Sequence, residues 1–269
     1  ECGAETHDIV QTAGIRWLVM ERKTMANWND PRATAAGIPT SATEMDAAVD
    51  AGLRSYMLSV YNYMASGVLL TGIVAMLFSR WDGAEALLFG PGPMKWVIML
   101  APLAFVMVLS FGIHKLSTAA AQALYWVYAA VMGLSMASIF FVFTGTSIAQ
   151  TFFATAAAFL GLSLYGYTTK RDLTGMGTFL IMGVIGILVA MLLNAFIFQS
   201  GALAMAISVL GVLIFAGLTA YDTQKIKSMY FYVQGTDFVG KSVVMGALTL
   251  YLDFVNMFTF LLNLLGSRE

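Results

Sequence analysis

The chain has 269 residues, of which 59% are hydrophobic and only 11% charged. A soluble globular domain carries about 25% charged residues, so this deficit points to a polytopic membrane protein. The formal net charge of -1 and the absence of a basic cluster give no footprint for nucleic acid. A single cysteine, Cys2, excludes a disulfide framework and a cysteine metal site, and the two histidines, His7 and His114, are too far apart for metal-ligand spacing.

Residues 1–50 differ from the rest of the chain. Ile15–Met20 is a short apolar run broken by Arg16 and followed by Glu21, Arg22 and Lys23, too short for a signal-peptide core. A polar stretch with Pro and Ala, ANWNDPRATAAGIPTSATEMD, follows Met25 and reads as a disordered arm. The change of composition makes Met25 the expected natural start, with Glu1–Thr24 as an upstream extension.

From residue 51 to residue 269 the chain reads as a membrane domain. A spanning helix needs about 20 apolar residues. The candidates are Tyr56–Phe78, Trp96–Ile113, Ala119–Phe143, Ser147–Thr168, Thr178–Phe198, Ala202–Tyr221 and Val243–Leu265. The breaks fall at Arg80–Lys95, His114-Lys115, Thr144–Thr146, Lys170–Asp172, Gln199–Gly201 and Thr223–Ser242. No strand-like alternation accompanies these long runs, so the expected fold is all-α, with seven transmembrane helices. Arg54, Lys115, Lys170, Arg171, Lys225, Lys227 and Lys241 gather on one side, and Arg80, Lys95 and Arg268 on the other. The more basic side is expected in the cytoplasm, which puts the amino terminus inside and the carboxyl terminus outside. Small residues within the spans, including the pairs Gly186/Ala190 and Ala216/Ala220, suit close helix packing within one bundle.

Two acids fall in or beside the apolar spans. Asp253 lies near the middle of the last span, where a carboxylate costs on the order of 2.5–3.5 kcal/mol by insertion scales. Asp222 closes the sixth span, and Asp253 lies about 15 Å into the seventh, counted from the same side. Asn256, one turn after Asp253, offers an amide that can donate to a carboxylate. Two carboxylates at about 4 Å repel by about 4 kcal/mol at an effective dielectric of 20. A pair in contact therefore shares a proton and titrates as one unit. Protonated, it ties two helices together; deprotonated, it repels or recruits a hard cation such as calcium, for which two acids make only a weak site. A buried acid held neutral within the bundle, with Asp222 at an exposed helix end, satisfies the same spacing. No phosphate loop, nucleophile elbow or zinc motif accompanies the acids, so nothing here reads as an enzyme.

Ala220-Tyr221-Asp222-Thr223-Gln224-Lys225-Ile226-Lys227, followed by Leu250-Tyr251-Leu252-Asp253-Phe254-Val255-Asn256-Met257-Phe258, resembles the transmembrane Bax inhibitor motif (Bax inhibitor-1) family in its bacterial form, over about Gly52 to Gly266. The resemblance implies six helices packed around a central seventh. It also implies a di-aspartyl pH sensor at Asp222 and Asp253, and a calcium leak in which these acids gate and pass the ion, with no tightly bound cofactor. A basic residue at the end of the second span holds the pore closed in such relatives. Here Lys115, beside His114, stands where an Arg occurs, and a lysine lacks the bidentate fork. The implied location is the plasma (inner) membrane. The alternative implied reading is a membrane-embedded regulator that binds a membrane-anchored quality-control protease through its amino-terminal arm. A proton-coupled transporter of a small solute would use the same acid pair.

Overall fold

A computed structural model describes residues 42–268. The chain divides into two units, residues 1–51 and 52–269. Of the first, only residues 42–51 are described, and they are helical. The expectations for Glu1–Thr24, Met25 and the arm up to residue 41 lie outside the described residues.

Among the described residues, seven helices are long and apolar enough to cross a membrane. They are α1 (Ala42–Ser79), α2 (Met94–Gly112), α3 (Thr118–Met136, extended by a 3-10 turn at Ala137–Phe141), α4 (Gly145–Thr168), α5 (Thr174–Leu193, continued by a π turn at Asn194–Phe198), α6 (Gly201–Val233) and α7 (Val239–Leu265). A short helical segment, Ala84–Phe89, lies in the α1–α2 connection. The protein is an all-α, multi-pass membrane protein.

Local chemistry sets several of the boundaries. The side chains of Ser117, Thr144 and Ser200 each accept from a backbone N–H three residues on, so α3, α4 and α6 start where the polar breaks were read. Asp172 prepares α5 in the same way. The Thr174 hydroxyl and backbone N–H both donate to its Oδ1, which holds this carboxyl below the usual carboxylate range.

Two boundaries differ most from the expected ones. Helix α1 is already helical at Ala42, the first described residue, well before Tyr56, and α6 continues to Val233 rather than ending at Tyr221. The first added segment is rich in helix-forming Ala among its polar residues, and the second opens on the polar run Asp222-Thr223-Gln224-Lys225, so a hydropathy criterion stops where the helix does not. The break expected at Thr223–Ser242 shrinks to Gln234–Phe238. At 33 residues, α6 is about 50 Å long, more than the hydrocarbon core it crosses.

Helix α7 is the most buried of the seven spans. Its most apolar stretch is 72% buried, against 11–28% in the other six spans. The α6–α7 hairpin is the tightest helix pair, and α4 and α3 also pack against α7. Helix α1 runs parallel to α7: the Tyr56 hydroxyl pairs with Ser242 Oγ at 2.6 Å near the start of α7, and Thr71 Oγ1 pairs with the Tyr251 hydroxyl at 2.6 Å further along. Thr71 Oγ1 also donates to Ala129 O, and the Tyr125 hydroxyl donates to Tyr63 O, which ties α1 to α3. Helix α2 packs mainly on α3, and α5 on α6. Beyond the last turn of α7, Ser267 bridges to the α3–α4 link, accepting from Thr144 N–H and donating to Ser147 Oγ.

Small residues act at particular contacts. Gly166 of α4 lies so close to Ala220 of α6 that a methyl group there would collide with the Ala220 carbonyl oxygen. This confirms close packing at one member of the Ala216/Ala220 pair. Gly186, by contrast, faces open space, so its pairing with Ala190 is not a packing contact of this kind within the chain.

Candidate functional site

The two acids sit on facing helices of one hairpin. Asp222 lies about 16 Å along α6 from its end at Val233, and Asp253 about 21 Å along α7 from its start at Val239. The two levels differ by about one helical turn, a gap that two side chains reaching toward each other can close. Their carboxyls lie close enough to interact side chain to side chain. Asp222 is 8% exposed and Asp253 4%. Asp222 therefore lies inside a long helix rather than at an exposed helix end.

The contact makes a chemical demand. Two ionised carboxylates are both acceptors, so a hydrogen bond between them exists only when a proton lies between the oxygens. Among the described residues, no hydroxyl or amide donates to Asp253 Oδ2, which is fully buried. The pair thus depends on a proton of its own in a region where an unpaired charge is costly.

Around the acids runs a chain of hydroxyls. Thr223, next to Asp222, donates to Thr219 O at 2.7 Å and pairs through Oγ1 with Ser163 Oγ of α4 at 3.0 Å. Ser163 Oγ pairs in turn with the Tyr61 hydroxyl of α1 at 2.6 Å. On the opposite flank of α7, Tyr125 and Tyr128 pack edge-on against Tyr251.

The other residues singled out in the sequence are placed elsewhere. Asn256 Nδ2 donates to Leu252 O at 2.8 Å on its own helix, and among the described residues no hydrogen bond joins its amide to Asp253. His114 and Lys115 are exposed in the α2–α3 link, where His114 stacks on Phe238 with ring centroids 5.6 Å apart. Among the described residues no hydrogen bond joins either of them to an acid. The cation whose charge reaches Asp222 is Lys225, three residues along the same helix. It was legible in the motif itself, as an i,i+3 neighbour. Gln224, also in the motif, braces the α4–α5 link, accepting from Leu173 N at 2.9 Å and donating to Arg171 O at 2.8 Å. The Tyr61–Ser163–Thr223 chain had no sequence signal, because its members lie 102 and 60 residues apart.

Comparison with known proteins places this arrangement. The family model described as inhibitor of apoptosis-promoting Bax1 matches residues 53–269. The inner membrane protein YbhL of Escherichia coli is 47% identical over 221 residues, covering 81% of this chain and 94% of that protein. Uncharacterised proteins of Rickettsia prowazekii and Caulobacter vibrioides are each 46% identical, covering 85% and 88% of this chain and 96% and 98% of their own lengths. The chain belongs to the Bax inhibitor-1 family.

Proposed function

We propose that this protein is a pH-sensitive calcium (cation) leak channel whose gate and transit site are Asp222 and Asp253. The observation that carries this reading is the buried approach of the two carboxyls between α6 and α7, which a shared proton would hold together. With the proton, the pair ties the two helices together. Without it, two like charges lie in a low-dielectric interior, and the helices part or a hard cation takes the proton's place. Two carboxylates hold calcium weakly, which suits transit rather than storage. Among the described residues, no three metal-ligating side chains gather to make a tighter site. Lys225 takes the place of Lys115 as the nearby cation in this reading. The inner-membrane location is taken over from YbhL, and the basic loops support an amino terminus in the cytoplasm and a carboxyl terminus outside.

The test is calcium flux into liposomes containing the purified protein, from about pH 6 to pH 8, a span wide enough to show whether opening is linked to loss of one shared proton. One proton linked to opening changes the opening equilibrium by at most about tenfold per pH unit, or about 1.4 kcal/mol. Asp253→Asn and Asp222→Asn each replace an oxygen by a permanent donor, so each should alter the flux and flatten its pH dependence. Flux curves unchanged in both variants would sink the proposal.

A further inference from the structure

A cavity of about 750 Å3 runs between α1 and α4, with Phe254 of α7 on its floor. Its walls are apolar and open outward: Leu58, Leu69, Leu160 and Leu164 are all more than half exposed. Both helices cross the membrane, so this groove faces hydrocarbon. Left unfilled, its lining would lose dispersion contacts, and its apolar walls give water few partners. A flexible hydrocarbon chain is the filling that suits it.

One end of the groove is different. Arg54 stands there on α1, exposed, and Tyr167 closes the same end from α4. Lys170 and Arg171 follow directly in the link after α4. From Arg54 to Leu69 the groove follows about 22 Å of helix. Half a bilayer, headgroups included, measures about 20–22 Å. An acyl chain in the groove would therefore bring its headgroup level with Arg54, whose guanidinium forms a bidentate fork on phosphate.

We infer that the α1–α4 groove is a binding site for one anionic phospholipid from the leaflet on the Arg54 side, with an acyl chain between the helices and the phosphate on Arg54. The site does not depend on the ion-leak reading. It does touch the same polar chain, because the Tyr61 and Ser163 hydroxyls that lead to Thr223 line the groove.

The experiment is native mass spectrometry of the full chain, purified in detergent, delipidated and titrated with phosphatidylglycerol, phosphatidylethanolamine or palmitate. The wild type should hold one phosphatidylglycerol, in preference to phosphatidylethanolamine by about fivefold, the effect of one arginine at a membrane surface. Arg54→Gln should keep lipid binding and lose the preference. Ala65→Trp, which places an indole in the groove, should lose the bound lipid, while Ala204→Trp, on an exposed face of α6 away from the groove, should keep it. Equal retention by the two tryptophan variants, or no preference in the wild type, would overturn the inference. Palmitate competing as well as phosphatidylglycerol would assign the groove to a fatty acid and overturn the phospholipid assignment. Should Ala65→Trp fail to elute as a folded monodisperse species, Arg54→Gln decides the matter, because its surface position leaves the core untouched.

Discussion

Replacing Gly166 by Ala adds one methyl group against a backbone carbonyl, that of Ala220 on α6. A carbonyl cannot rotate away as a side chain can, so α4 and α6 must separate. Overpacking of this kind costs about 1–3 kcal/mol. The same substitution also gains helix propensity, about 1 kcal/mol for Gly→Ala. The two terms leave Gly166→Ala between neutral and about 2 kcal/mol destabilised. Gly161, on the same helix, provides the control: a methyl group there meets nothing within 4 Å. Gly161→Ala should therefore show the propensity gain alone, and the two variants should differ by about 1–3 kcal/mol. Unfolding by sodium dodecyl sulfate in mixed micelles, followed by circular dichroism, measures both. Equal shifts for the two variants would show that the α4–α6 approach is not tight at this level, and the reasoning would fail.

Two further predictions concern buried polar groups. Tyr251→Phe removes one hydroxyl while Thr71 keeps its bond to Ala129 O, so it should cost about 0.6 kcal/mol, the average for such bonds in membranes. Thr71→Val leaves the buried Tyr251 hydroxyl without its partner and should cost about 1–3 kcal/mol; a double-mutant cycle in the same unfolding assay separates the two, and a smaller cost for Thr71→Val than for Tyr251→Phe would refute the assignment. Gln224→Ala frees Leu173 N–H and Arg171 O in the α4–α5 link, so hydrogen exchange at the Leu173 amide should quicken roughly fivefold for a bond worth about 1 kcal/mol, and unchanged protection there would contradict the brace.

Much of this architecture was legible because hydrocarbon imposes a simple rule. A span must be long and apolar, and the seven runs read from hydropathy are the seven spans found. The same rule hid what it does not govern. Helix α6 passes through Asp222-Thr223-Gln224-Lys225 without a break, because backbone hydrogen bonding continues whether or not the side chains are apolar. That continuation lets the two acids meet: it places Asp222 well inside the helix, not at its end. The acids themselves stood out because a carboxylate in an apolar run is expensive. Asn256 was read from its spacing, which fixes a helical face but not the target of an amide, and Leu252 O lies nearer at hand on the same helix. The hydroxyl chain from Tyr61 through Ser163 to Thr223 was invisible, since serine, threonine and tyrosine are common in membrane helices and only the packing brings these three together.

The depth at which α7 is buried bears on how the protein is made. A helix that meets other helices over 72% of its most apolar stretch has little lipid-facing surface of its own. Emerging last from the ribosome among these seven spans, it would carry Asp253 into bare hydrocarbon at a cost of about 2.5–3.5 kcal/mol, unless Asp222 on α6 were already there to share a proton. Helix α5, only 11% buried over its apolar stretch, meets no such obstacle. Biosynthesis is thus expected to deliver α6 and α7 into the bilayer as one hairpin, and a nascent chain that loses α6 should release α7 to the aqueous side, where quality-control machinery meets it.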